Sequence, residues 1–316
     1  MSATMGIFSV VILLATTFAF ASTQKEAGNT LKVIAVETFL ADIAQNIAGD
    51  RVQIRALLPV GADPHTFQPA PADVRQVAES NVLIINGAGF EEYLDELLKN
   101  LGGTRKVIDA SAGLSFRAPG EDESAESDGK DPHHEAAHHD EGDPHFWFSA
   151  ANVVRYVENV CNGLSEADPG GAEIYAANAG KYTAKLRELD QWISDQVKQI
   201  PASGRLLVTD HDEFGYFADR YGFKIIGMVI PSFSSEASPS AMQITQLVKK
   251  IRQTGAKAIF LEAGEAPQLA EQIAREAAIK VVTGLYTHSI SQPDGPASNY
   301  IEMMRHNTLT IVNALK

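Results

Sequence analysis

The chain has 316 residues, a formal net charge of −14 at neutral pH and one cysteine, Cys161. The negative charge argues against nucleic acid and anionic membranes as partners, and a single cysteine excludes an intramolecular disulfide. A chain of this length predicts one large or two modest domains with enough apolar residues for a core.

The first residues resemble a secretory signal in their pattern. An apolar run over residues 6–20 is too short for a membrane span, and Ala19-Phe20-Ala21 offers a small-x-small cleavage pattern. No lysine or arginine precedes the run, so a buried N-terminal helix stays open as an alternative. No cysteine follows the cleavage pattern, so no lipid anchor is indicated. We expect a signal peptide over residues 1–21 and a soluble, monomeric mature protein in the periplasm.

Short β-type runs then alternate with amphipathic helical stretches, which predicts parallel sheets with helices on their faces. The expected strands are residues 32–37, 52–58, 82–86, 106–109, 205–209, 224–229, 257–261 and 280–283. The expected helices are residues 39–48, 71–79, 91–100, 151–164, 213–221, 240–253, 267–277 and 298–315. The pattern indicates two similar α/β lobes, over residues 22–165 and 202–316.

Between the lobes, apolar residues recur at spacings of three and four from Tyr175 to Val197. This period predicts one long helix, which we expect within a linking segment over residues 166–201. A long helix packed inside a single domain remains the alternative.

Residues 117–143 interrupt the alternation. They are acidic, rich in histidine and nearly free of large apolar side chains. Such a segment cannot bury enough surface to offset its ordering entropy, so we expect a mobile surface loop.

Four histidines outside this loop come at positions where a ligand site is expected. His65, His211 and His288 each follow a predicted strand, and open α/β sheets bind ligands beyond the carboxyl ends of their strands. His145 lies where the acidic loop rejoins regular structure. Imidazole suits zinc better than manganese or magnesium, and each ligand must be neutral, so affinity should fall below about pH 6.5. Any one of these histidines alone could equally be a surface or core residue.

Several motifs in order along the chain resemble one family. They are GADPHTFQPAPADV, NGAGFEEYL, DPHFWFSAANV, VTDHDEFGYFADRYGF, IFLEAG, YTHSIS and YIEMMRHNTLTIVNAL. Together they are similar to the zinc/manganese-type (ZnuA/TroA-like) solute-binding proteins of ABC transporters, over almost all of the chain after the signal. The resemblance implies two α/β lobes joined by one long rigid helix, with a single metal in the cleft between them. It also implies delivery of the metal to a membrane permease and its ATPase, without catalysis.

The resemblance assigns metal-binding roles to His65, His145 and His211. Manganese-type members carry glutamate at the third position and zinc-type members histidine. At the fourth position this chain differs from the family pattern, because the family commonly has aspartate where this chain has His288. Either His288 binds through nitrogen, or it points away and water or a nearby acid completes the shell.

Acidic residues near these histidines are expected to differ in role. Glu262 is expected to accept a hydrogen bond from a ligand histidine. Asp210 and Asp212 are expected to be solvated, and His306 in the last helix is expected on the surface. Ser149 is expected to cap the helix that follows it.

The histidines of the acidic loop resemble the His/acid-rich loop of zinc-type members. We hypothesise that they gather zinc weakly, and the alternative is solvated filler without effect. These residues are His133, His134, His138 and His139.

The expected function is capture of Zn²⁺ in the periplasm for an ABC importer. A manganese- or iron-binding homologue, a periplasmic zinc hydrolase, a zinc store and an adhesin remain as alternatives. A hydrolase would use three histidines with the fourth turned away, but the chain has no His-Glu-x-x-His or Gly-x-Ser-x-Gly motif. A rigid linking helix implies that release uses local rearrangement near His211 or His288, or help from the permease.

Overall fold

The computed structural model describes residues 31–117, 142–235, 237–264 and 266–316. The expected signal peptide and the loop histidines His133, His134, His138 and His139 lie outside these ranges. No helix within these ranges combines the length and apolarity needed to cross a lipid bilayer.

The first lobe is built on a parallel sheet of four strands in the order β2-β1-β3-β4. Its strands are β1 (Val33–Ala35), β2 (Ile54–Ala56), β3 (Val82–Ile85) and β4 (Lys106–Asp109). Its helices are α1 (Thr38–Ala48), α2 (Pro71–Glu79), α3 (Glu92–Leu101) and α4 (Ala150–Ala167). The strands are short, and the two central ones, β1 and β3, are wholly apolar, as expected where helices cover both faces of a parallel sheet.

A long helix, α5 (Ala172–Val197), follows the first lobe. Its apolar stripe includes Tyr182, Leu186 and Ile193, which are buried, and the helix packs against α1 and α4. It lies within the expected linking segment 166–201. The chain makes a 3-10 turn at Pro169–Gly171, because proline cannot donate the backbone hydrogen bond that would continue α4.

The second lobe repeats the strand order of the first, as β6-β5-β7-β8, with all pairs parallel. Its strands are β5 (Leu206–Thr209), β6 (Lys224–Met228), β7 (Ala258–Glu262) and β8 (Lys280–Leu285). Its helices are α6 (Gly215–Tyr221), α7 (Ala241–Thr254), α8 (Gln268–Ala277) and α9 (Tyr300–Leu315). In both sheets the order reverses beside the first strand of the lobe, which opens a crevice at the carboxyl ends of the strands. The predicted fold class, two α/β lobes with a long helix, is confirmed.

One apolar core runs through both lobes and along α5. It includes Phe39 of α1, Leu186 of α5, Phe217 of α6 and Met303 of α9, each at 0% exposure. On the outer face of each sheet lies one smaller apolar cluster. The inner faces of the two lobes are therefore parts of the same packed interior.

Two local expectations differ from the structure. Ser149 occupies the N-cap position of α4, but its side chain makes no capping hydrogen bond. His306 is half-buried rather than on the surface, because its Nε2 lies 2.9 Å from the carbonyl oxygen of Gly284 at the α9–β8 contact.

Two acids, Glu37 and Glu91, are buried together behind the carboxyl end of β1, at 0% and 6% exposure. Burial, and then the neighbouring Glu91 carboxylate, raises the pKa of Glu37 well above its usual value. Burial also raises the pKa of Glu91 to about 7, although the backbone N–H groups of Asn86 and Gly87 donate to its oxygens. The pair therefore holds a proton that the unfolded chain would release.

We expect this pair to make folding stability fall as pH rises. A carboxyl whose pKa is raised in the folded state contributes stability below its unfolded pKa, and that contribution is lost as pH rises through the folded pKa. For Glu91 the window runs from about 4.5 to about 7. Glu37→Gln should weaken the dependence of the free energy of unfolding on pH. The change that it causes in this free energy should be more favourable at pH 8 than at pH 5 by about 1–3 kcal/mol. Urea unfolding of the metal-free protein at both pH values measures it. Glu188→Gln, at an exposed position on α5, is the control. An unchanged slope in Glu37→Gln would contradict the prediction.

Candidate metal centre

Four histidines converge at the carboxyl ends of the strands. His65 lies in the loop after β2, His211 follows β5 and His288 follows β8, whereas His145 directly precedes a 3-10 helix at Phe146–Phe148. One ring nitrogen of each lies within 4.8 Å of the others. His145, His211 and His288 are at most 1% exposed, and His65 is half-buried. We refer to these four residues as the histidine cage.

The cage is close to the size of a single metal site. Its ring centroids are 5.0–5.8 Å apart, and the Nε2 atoms of His145 and His288 are 3.5 Å apart. Four nitrogens bound tetrahedrally to zinc at 2.0–2.1 Å would be about 3.3 Å apart. The His145 and His288 nitrogens are therefore already at nearly the spacing of two ligands of one ion.

His288 faces into the cage. Its Nδ1 lies 3.2 Å from Oε2 of Glu262, and its backbone N–H donates to Oε1 of the same side chain at 3.3 Å. Burial acts to lower the pKa of His288, but the Glu262 carboxylate outweighs burial and raises it. Conversely, burial acts to raise the pKa of Glu262, and His288 lowers it. This contact turns Nε2 of His288 toward His145.

The two Asp-Pro-His segments build the same local turn. The Asp63 carboxylate accepts the backbone N–H of His65 at 2.9 Å, and the Asp143 carboxylate accepts that of His145 at 2.9 Å. Proline restricts the intervening backbone, and an aspartate that accepts from the residue two positions on forms an Asx turn. Asp143 Oδ1 also lies 2.9 Å from Nδ1 of His145, which leaves Nε2 for the cage. The third Asp-Pro-His, residues 131–133, lies outside the described residues.

Both ends of the expected mobile loop are packed. Arg117 donates to Asp219 of α6 at 3.2 Å, and Asp143 is 2% exposed. Tyr216 joins the two ends, since its hydroxyl donates to the carbonyl oxygen of Asp143 and accepts from the N–H of Arg117. The boundaries 117 and 143 therefore belong to the packed structure, because their partners lie on α6, which is distant in sequence.

Asp210 and Asp212 are buried, at 7% exposure each, so the prediction that they are solvated is wrong. The chain after β5 passes beneath the segment that follows β6, and the N–H of Asp212 donates to the carbonyl oxygen of Ser232. The Asp210 carboxylate accepts the N–H of His211 at 3.0 Å and lies 3.4 Å from its Nδ1. Burial acts to raise the pKa of Asp210, but His211 lowers it. Asp210 is therefore a charged neighbour of the cage.

The remaining electrostatics favour neutral imidazoles. Burial, and then the neighbouring His288 and His211, lowers the pKa of His65 and of His145 well below the usual value. Neutral imidazole is the form that binds metal. Burial, followed by Asp210 and Glu262, raises the pKa of Glu213.

Phe90 forms an apolar wall of the cage that the sequence did not identify. Its ring centroid lies 5.2 Å from that of His65 and 5.6 Å from that of His145. Gly87, Ala88 and Gly89 precede it with consecutive positive φ angles of 81°, 57° and 76°. At Gly87 a Cβ atom would approach Oδ1 of Asp109 to 2.2 Å, so only glycine fits. The sequence Gly87-Ala88-Gly89 therefore forms the turn that positions Phe90.

Loops from the two lobes are tied together around the cage. Trp147 donates its indole N–H to the carbonyl oxygen of Thr287 at 3.0 Å, and Ser235 donates to the Asp63 carboxylate. Ser289 accepts the N–H of Gly61 at 2.8 Å. The cage is therefore enclosed by contacts between the lobes.

The fold and sequence match known metal-binding proteins. The family model described as "Zinc-uptake complex component A periplasmic" matches residues 33–314. The manganese-binding lipoprotein MntA of Halalkalibacterium halodurans is 33% identical over 290 residues, which cover 92% of this chain and 90% of MntA. The Mn-bound periplasmic metal-binding protein of Candidatus Liberibacter asiaticus matches with a TM-score of 0.77 and 29% identity, over 90% of this chain and 99% of that one. The periplasmic zinc-binding protein TroA of Treponema pallidum matches with a TM-score of 0.77 and 26% identity, over 90% and 98% of the two chains.

The family model covers nearly all of the described residues, and the matched structures share the whole two-lobed fold. Members of this family are solute-binding proteins rather than enzymes, so the hydrolase alternative is set aside. The chain belongs to the family of periplasmic metal-binding components of ABC importers.

Proposed function

We propose that the protein binds one Zn²⁺ in the histidine cage and delivers it to the permease and ATPase of an ABC importer. The observation that carries this proposal is the convergence of four imidazoles, from His65, His145, His211 and His288. An all-nitrogen donor set suits a borderline-soft ion such as zinc, whereas manganese prefers oxygen donors. The carboxylates beside Nδ1 of His145 and of His288 support the proposal, because ligand histidines commonly have such partners.

Manganese is the second candidate. Relatives such as MntA are named for manganese, and TroA is named for zinc. Buried carboxylates also lie near the cage, and Oε2 of Glu213 is 3.6 Å from Nε2 of His211. A site in which such a carboxylate oxygen also bound the ion would favour manganese more than a site of four imidazoles does.

A chelator-stripped sample titrated with zinc and, in parallel, with manganese at neutral pH tests the proposal. With a competing chelator as indicator, we expect one tight zinc equivalent and a manganese affinity lower by at least about a hundredfold. The variant His65→Ala should lose the tight equivalent, and His306→Gln, outside the cage, should retain it. Tighter manganese than zinc, or a tight equivalent that survives in His65→Ala, would reject zinc binding in the cage.

The acidic loop is proposed as an accessory zinc collector. His133, His134, His138 and His139 would bind zinc weakly and raise its concentration near the cage. Deleting residues 120–141 should remove the weak equivalents, leave the tight one and slow growth at low zinc. Unchanged growth and an unchanged number of weak equivalents would refute the collector role.

We also propose the organisation of the mature protein. A signal peptide over residues 1–21 would direct it to the periplasm, where it would act as a monomer. A first lobe would extend to residue 165 and a second would begin at residue 202, with the linking segment 166–201 between them.

A further inference from the structure

Glu213 is a buried acid beside the histidine cage. It lies two residues after His211, is 1% exposed, and neither of its carboxylate oxygens has a hydrogen-bond partner among the described residues. A buried carboxylate without a partner costs several kcal/mol, so such a side chain points to a missing cation or donor.

The distance between Glu213 and His211 fits a shared ion better than a hydrogen bond. Oε2 of Glu213 lies 3.6 Å from Nε2 of His211, which is longer than a hydrogen bond. An ion bound to both atoms at 2.0–2.2 Å would separate them by about 3.6 Å when the nitrogen–metal–oxygen angle is about 120°. Asp210, His211 and Glu213 form a second group whose donor atoms lie within 4.8 Å of one another, and it shares only His211 with the histidine cage, so an ion bound by Glu213 and all four histidines requires a shift of the Glu213 side chain or of a cage ring.

Other acids near the cage approach its rings from the opposite side. Asp143 lies 2.9 Å from Nδ1 of His145, Asp210 lies 3.4 Å from Nδ1 of His211, and Glu262 lies 3.2 Å from Nδ1 of His288. Glu213 instead approaches Nε2 of His211, on the other edge of the ring from Asp210. This position allows the Glu213 carboxylate to bind an ion together with His211.

The charge of a bound ion supports the same assignment. Four neutral imidazoles leave a divalent ion with its full charge in a site where three of the ligands are at most 1% exposed. Water has little access there, and Asp143, Asp210 and Glu262 act on the ion only across the rings that they approach, whereas a carboxylate in direct contact would neutralise half of its charge.

We propose that Glu213 is a fifth metal-binding residue, whose carboxylate binds the ion together with His211. The inference rests on the proposed function, because it concerns the same ion. With four nitrogens and one oxygen, the site would prefer zinc and still bind harder cations such as manganese measurably.

Glu213→Gln tests this assignment, because it keeps the size of the side chain and removes its charge. We expect zinc affinity to fall at least about tenfold and manganese affinity to fall further, so that the zinc-to-manganese ratio rises. Glu188→Gln, at an exposed position on α5, should change neither affinity. In a crystal structure of the zinc-loaded wild-type protein, an oxygen of Glu213 should lie about 2.0–2.2 Å from the ion.

Several results would overturn the inference. One is unchanged zinc and manganese affinity in Glu213→Gln while His65→Ala abolishes tight binding, which leaves the proposed function intact. Another is a zinc-loaded structure in which the Glu213 carboxylate does not touch the ion, even if Glu213→Gln weakens binding through charge alone. If Glu213→Gln fails to fold, the zinc-loaded wild-type structure decides the matter. If the wild-type protein bound no zinc tightly, the proposed function itself would be rejected.

Discussion

Replacing His288 with aspartate is expected to shift the metal preference of the protein from zinc toward manganese. The substitution removes a nitrogen donor whose Nε2 is 3.5 Å from that of His145 and introduces an oxygen donor. Zinc affinity should fall at least about tenfold, and manganese affinity should fall less or rise. The Glu262 carboxylate would lose its ring partner and face another carboxylate, so the metal-free variant should also be less stable.

Parallel zinc and manganese titrations of the chelator-stripped variant measure this shift. His306→Gln is the matched control, because His306 lies on α9 with its Nε2 on the carbonyl oxygen of Gly284. A zinc-to-manganese ratio equal to that of the wild-type protein would mean that His288 does not bind the ion.

Trp147→Ala is expected to lower the free energy of unfolding by about 3–5 kcal/mol. Trp147 is 0% exposed, and its indole N–H donates to the carbonyl oxygen of Thr287. Its ring centroid lies 4.6 Å from that of Phe39, in a stacked arrangement, and 4.9 Å from that of Phe90. The truncation would leave a large cavity between the lobes, directly behind Phe90.

Urea unfolding of the metal-free variant tests this value, with Trp192→Ala as the control. Trp192 is half-buried on α5, and the guanidinium of Arg305 lies 5.0 Å from its ring, so its truncation should cost much less. Equal losses for the two variants would contradict the prediction that the fully buried Trp147 contributes more to stability than the half-buried Trp192.

Local patterns predicted those parts of the fold that depend on local sequence. Apolar periodicity indicated the strands and helices, because the buried faces of α1 and α5 follow from residue spacing alone. The turn formed by Asp-Pro-His is also local, since Asp63 and Asp143 each accept the backbone N–H of the histidine only two positions away. The ends of helices were less precise, since α4 runs to Ala167, three residues beyond its expected end at residue 164.

Features that depend on long-range packing were missed. Whether Asp210 is solvated depends on the segment after β6 that covers it, and nothing in the residues around Asp210 indicates that cover. Glu213 looks like an ordinary acid near the start of a helix until the fold brings Glu262 and Thr287 beside it. Glu262 was expected to contact a ligand histidine, but the sequence left open which one, and the fold makes it His288, 26 residues away.

The apolar core shared by the two lobes has a consequence for timing. Moving the lobes apart would expose side chains such as Leu186 and Phe217, so spontaneous opening should be rare. An ion inside the cage would then have a long residence time, set by rearrangement of the covering loops and not by the motion of a lobe. The rate of import would accordingly depend on how quickly the membrane partner loosens those loops.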